Sequence, residues 1–153
     1  MIIFDVEASG LSDASYLIEV AWQDSDDPDC FDSFLIKPSE SWTHWDDYAE
    51  QEIHHISRNM LHSEGISTND ACTRLNTRLA GKTIYSDAIE YDQRWLLKLF
   101  DEVGMTPKFL IGSIYQVISE ESLRKFESSV ESEHIIHRAL DDVKQIIRLL
   151  FSQ

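Results

Sequence analysis

Basic residues are nearly absent from the first third of the chain. Residues 1–57 hold fourteen Asp or Glu and one Lys, Lys37, a formal charge of −13 within a total of −15 for all 153 residues. Such a surface excludes broad binding of long duplex, which needs many phosphate-neutralising Lys and Arg. Any nucleic-acid partner has to be held locally, and the acidic third offers itself as a docking face for a basic protein. Cysteine is scarce too. Cys30 and Cys72 stand alone with no C-x-x-C spacing, so a disulfide framework and a cysteine-based zinc module are both excluded. No run approaches the ~18 apolar residues of a membrane span. The N-terminus has no basic stretch leading into an apolar core. A cytoplasmic protein without membrane contact is expected. Gly and Pro number five and three, with no linker, repeat or low-complexity tract, so a single domain over residues 1–153 is expected.

What is present begins with alternating elements. Residues 1–7 read as a buried strand, 15–23 as a second and 30–38 as a third, with the Asp-rich 24–29 as the turn between the last two. The three are expected to form an antiparallel meander. Residues 39–48 have no period and read as a loop. A helical pattern from Glu50 breaks near "HHIS", where Ser57 is placed to cap a second short helix. Helices follow at 68–80, 91–104 and 119–130, with strands at 82–86 and 108–113 between them. In the last helix, apolar residues at 139, 140, 143, 146, 147, 150 and 151 form one stripe. The order predicts an α/β fold, a mixed five-stranded sheet flanked by helices on both faces.

The opening strand contains Asp5 and Glu7. Residues two apart on a strand share a face and lie about 7 Å apart, where two carboxylates repel by roughly 2 kcal/mol at an effective dielectric near 20. Two readings follow: an edge strand with its acids in water, or a pair waiting for a cation. Two further segments bear on the choice, "YDQRWL" with Tyr91 and Asp92, and "HRALDD" with His137 and Asp142. Asp92 stands near the start of its helix, where it can project over the sheet end. His137 precedes Asp142 by five positions, a rotation of about 140° in an ideal helix, so it belongs at the helix mouth rather than on the face of Asp142.

In these segments the sequence resembles the DnaQ-like 3′-to-5′ exonucleases of the DEDDh type. Their D-x-E followed by small residues and G-L is matched by Asp5, Glu7 and the stretch Ala8, Ser9, Gly10, Leu11. Their aromatic-Asp pair is matched by Tyr91 and Asp92, and their H-x-A-x-x-D by His137, Ala139 and Asp142. Their I-H-G-I looks like residues 53–56, with His55 where Gly is usual, and their H-N before the second Asp is replaced by Asp87 and Ala88. The resemblance implies a ribonuclease H-like fold and release of nucleoside 5′-monophosphates from the 3′ ends of single-stranded DNA or RNA.

It also implies two Mg2+ or Mn2+ ions held by Asp5, Glu7, Asp92 and Asp142. One ion would acidify the attacking water and the other would stabilise the leaving 3′-oxygen, with His137 as base. Hard cations with oxygen ligands suit that carboxylate set, and an imidazole of unperturbed pKa about 6.5 suits the base. Substrate contacts are implied for Ala8, Ser9, Gly10, Leu11, Ile53, His54 and Tyr91.

Other assignments stay open. Asp141 competes with Asp142 as ligand, and His134 with His137 as base. Asp87 and Glu90 either reach the ions through water or are simply solvated. Trp42 and Trp45 either stack bases or cover the sheet. Arg124, Lys125, Arg138 and Lys108 either hold phosphates or line solvated helix faces. The histidines at 44, 54, 55 and 62 lack a zinc pattern. Two alternative functions remain: trimming of short-RNA or tRNA 3′ ends, and a polymerase-associated or nucleic-acid-binding subunit with a secondary catalytic role.

Overall fold

β-branched and aromatic residues make the opening strand the centre of the sheet. A computed structural model describes residues 1–130 and 138–151. Strands β1 (Ile2–Ala8), β2 (Leu17–Asp24), β3 (Asp27–Leu35), β4 (Thr83–Ser86) and β5 (Leu110–Ser113) form one sheet in the order β3-β2-β1-β4-β5. The first three are antiparallel neighbours, while β4 and β5 run parallel to β1. The expected mixed five-stranded sheet is therefore present. Its Asp-rich turn is shorter than expected: only Ser25 and Asp26 form it, and β3 begins at Asp27. Pro28 is tolerated within β3 because an edge strand has one side without a ladder partner.

Helices cover both faces. They are α1 (Asp47–Ala49), continued by a π-helical turn over Glu50–His54, then α2 (Arg58–Glu64), α3 (Thr68–Leu79), α4 (Ile89–Val103), α5 (Glu120–Val130) and α6 (Ala139–Phe151). The predicted caps hold: Ser57 Oγ accepts from the Met60 N–H at 3.1 Å, and Gly104 closes α4 at φ 68°, a conformation that favours glycine. Ile2, Phe4 and Val6 of β1 pack with Leu75 and Leu79 of α3 and Trp95, Leu96 and Leu99 of α4. Ile3 faces the other way, into Ala139, Val143, Ile146 and Leu150 of α6. Strand alternation then puts Asp5 and Glu7 on the α6 face, in the row begun by Ile3.

Candidate active site

The carboxylates converge where β1 and β4 end. Asp5 and Glu7 come from β1, Asp142 from the first turns of α6, and Asp92 from the first turns of α4. Ligand-competent atoms of Asp5, Glu7 and Asp142 lie within 4.8 Å of one another, as do those of Asp5, Asp87 and Asp92. Between the two acids of the last motif the structure discriminates: Asp142 faces inward and Asp141 is exposed. A register shift between Glu7 and Ala8 ends the regular β1–β2 ladder next to the pair. Such bulges redirect strands beside functional sites.

Each acid has its own support. Ser86 Oγ donates to Asp92 Oδ2 at 2.6 Å, and Ser86 in turn accepts the Ala88 N–H at 2.8 Å. One oxygen of Asp92 is thereby fixed while the other is left to the cluster. Glu19, directly opposite Glu7 across the ladder, is buried and binds Arg138 through contacts of 2.7, 3.1 and 3.1 Å. It also accepts the Ala139 N–H at 2.8 Å. Glu19 thus anchors the start of α6, and Arg138 is occupied rather than available for phosphate.

Among the described residues no salt bridge reaches Asp5, Glu7, Asp92 or Asp142. Burial, then Asp92, Glu7, Asp142 and Asp87, hold Asp5 well above the ordinary carboxylate range. Burial and the charges of Asp142, Glu19 and Asp92 push Glu7 to about 9. Asp92 and Asp142 rise to about 7, in each case mainly by burial, and Asp87 is raised for the same reason. Asp5 Oδ2 and Asp142 Oδ1 are buried with no hydrogen-bond partner. Orphaned acceptors among raised carboxylates fit a hard divalent cation, which supplies the missing charge and takes oxygen ligands.

A cleft of about 220 Å³ opens beside the acids, lined by Glu7, Ala8, Gly10, Leu11, Ile53, His54, Tyr91 and Asp92 among others. Of the expected substrate contacts, Ala8, Gly10, Leu11, Ile53, His54 and Tyr91 are together there. Ser9 is not. It is buried, and its hydroxyl accepts the Tyr16 N–H at 3.1 Å, so it holds the loop from inside. Gly10 is needed for close approach, since a Cβ there would stand 2.9 Å from Ser15 Oγ and 3.0 Å from Asp46 Cβ. Leu11 and Tyr91, at 72% and 53% exposure, are the apolar rim. His54 is buried and its Nδ1 accepts the Ile56 N–H at 2.9 Å. Its Nε2 has no partner, and burial lowers its pKa to about 4.

Other expected residues fall elsewhere. His137 and His134 lie outside the described residues. Trp42 stacks on Tyr16 at 5.3 Å and Trp45 meets His54 edge-on at 5.9 Å, both as packing. Arg124 and Lys125 pair with Glu120 and Glu121 on an exposed face of α5. Lys108 borders a groove of about 580 Å³ between the end of α3 and the approach to β5, at the opposite end of the sheet. Glu90 is exposed. No His joins a metal-capable group among the described residues. One residue that sequence reasoning passed over gains importance, Glu19, and Asp87, left open by the sequence, joins a metal-capable group with Asp5 and Asp92. The signal for Glu19 was a lone acid inside the apolar "YLIEVAW" strand.

The mixed five-stranded sheet, in its strand order and with its covering helices, matches the ribonuclease H-like fold of solved exonucleases. Among solved structures, the chain is similar to E. coli Exonuclease I in complex with a dA16 oligonucleotide, with TM-score 0.72 and 16% identity over 97% of this chain and 40% of that one. It is also similar to a 3′-exonuclease with 3′-end-specific recognition of the histone mRNA stem-loop, with TM-score 0.65, 13% identity and coverage of 97% and 61%. Cell-death related nuclease 4 (CRN-4) gives 0.59 at 11% identity with the same coverage. The chain spans 38–40% of the length of several Exonuclease I chains it matches. No family model matches it, and no curated protein does. Among the described residues no helix is long and apolar enough to cross a membrane.

Proposed function

We propose that the protein is a metal-dependent 3′-to-5′ exonuclease of the DEDDh type, acting on single-stranded DNA or RNA ends. The observation that carries this reading is the convergence of Asp5, Glu7, Asp92 and Asp142, with buried orphaned oxygens on Asp5 and Asp142, beside an open cleft. These four residues would hold Mg2+ or Mn2+, which supplies Lewis acidity toward a phosphodiester and acidifies water. The chain's own residues do the rest. Leu11 and Tyr91 flank the terminal base at the cleft rim, and Ile53 and His54 close its inner wall. Neutral His54, with Nδ1 already accepting, presents an Nε2–H donor to an oxygen of the terminal nucleotide. His137 serves as base from its place in H-x-A-x-x-D.

The acidic excess need not repel substrate. Asp24, Asp26 and Asp27 sit at the β2–β3 turn near the start of β1, the end of the sheet away from the site. Asp24 and Asp26 face the Met1 ammonium at 3.3 and 3.5 Å, and the acids of this turn that stay open to solvent would dock a basic protein, an association that raised salt would weaken.

The test is a gel assay on 5′-labelled single-stranded DNA and RNA of matched sequence, with Mg2+, Mn2+ or EDTA. A metal-dependent ladder shortening from the 3′ end is expected, abolished by Asp5→Ala, and the faster substrate identifies the sugar preference. No cleavage of either strand would overturn the reading in favour of a binding subunit.

A further inference from the structure

The turn between β4 and α4 carries a carboxylate that the four-residue site does not use. Asp87 follows Ser86, the last residue of β4, and precedes Asp92 by five positions. It is half-buried, and no salt bridge of the described residues reaches it. Its role is not to cap α4, whose N-cap position, Ala88, makes no side-chain hydrogen bond. At the position where the resemblance expects a His, the chain instead adds an anion to a cluster already rich in them. An anion there repels a phosphate unless a cation stands between them.

The geometry supplies a place for that cation. Among the described residues two metal-capable groups occur, Asp5 with Glu7 and Asp142, and Asp5 with Asp87 and Asp92. They share Asp5 alone, and Asp5 Oδ2 is buried without a partner. The Ser86 hydroxyl, fixed on Asp92 Oδ2, holds the second group in one turn of chain. We infer that Asp87 is a metal ligand: with Asp5 and Asp92 it forms a second all-carboxylate site for a hard divalent cation, Asp5 being common to both sites. Three carboxylates per site allow both ions to load before any nucleic-acid phosphate arrives. The inference rests on the metal-dependent reading above.

The test is Mn2+ titration of the full chain without nucleic acid, followed by electron paramagnetic resonance of free Mn2+. Two Mn2+ per chain are expected for the parent and for Glu90→Gln, which removes an exposed acid from the same turn. Asp87→Asn should keep one site at the parent's affinity and weaken the other at least tenfold. In EDTA its melting temperature should equal or exceed the parent's, because one of the crowded anions has gone. Asp87→Ser, read in the same titration, covers an asparagine variant that folds poorly. Two undiminished sites in the Asp87 variants, or a single site in the parent, would overturn the ligand role while leaving the exonuclease reading intact. A parent that binds no Mn2+ would overturn both.

Discussion

His55 stands at φ 57° and ψ 27°, closing the π-helical turn that forms one wall of the cleft. This is the position where the resembled I-H-G-I pattern has Gly, and the structure gives the reason: the left-handed region costs a residue with a Cβ about 1–2 kcal/mol. Glycine loses more backbone entropy on folding, by about 0.5–1 kcal/mol. His55→Gly should therefore stabilise the protein by up to about 1 kcal/mol, measured by urea unfolding, whereas His55→Ala should give no gain. A glycine variant less stable than the parent would mean that the exposed imidazole makes a contribution of its own. Single residues of this kind were legible wherever a local rule governs them. Asp5, Glu7, Asp92 and Asp142, a set the family resemblance implied, lie in two groups that share Asp5, and Gly10 lines the cleft beside them. Ser9 was misplaced as a substrate contact because its burial depends on Tyr16, seven residues on. Asp87 was left open because nothing in the sequence says on which side of a turn a carboxylate points.

The start of α6 shows what an element needs beyond its own pattern. The apolar stripe of the helix was plain in the sequence, and Val143, Ile146 and Leu150 are buried as it predicts. Its anchor was not, because Glu19 and Arg138 are 119 positions apart and only the sheet brings them together. Glu19 fixes the first turn of α6 through Ala139 and Arg138, and Asp142 projects from the next turn into the cluster. Glu19→Ala would strand a guanidinium whose side chain is 39% exposed. The expected loss is about 2 kcal/mol, below the range for fully buried pairs because water can reach the group. Mn2+ affinity should fall with it, since Asp142 is no longer held over Glu7. A variant that loses stability in urea but binds Mn2+ as the parent does would confine Glu19 to a structural role.

At the scale of the whole molecule, the formal charge of −15 and the raised carboxylates act together on stability. Glu7 moves from 4.5 to about 9, and Asp92 and Asp142 move from 3.8 to about 7. Without metal, the folded protein then holds more protons than the unfolded chain through this window, so stability is greatest at its acid end and falls as pH rises. His54 acts in the opposite sense, because its pKa falls from 6.5 to about 4 and folding is disfavoured where the unfolded ring would be protonated. Above pH 6.5 that contribution fades and the carboxylates dominate the slope, joined toward pH 9 by Cys72, whose thiol burial pushes up to about 12. At constant ionic strength, the melting temperature in EDTA should decline from pH 6.5, the ordinary His value, to about 9, where Glu7 titrates. Saturating Mg2+ should raise the whole curve and flatten it, because a bound cation favours the ionised form of each ligand. A metal-free melting temperature that stayed level or rose over this range would mean that the cluster is not the dominant titrating strain. Equal slopes with and without Mg2+ would place the ion somewhere other than among these acids.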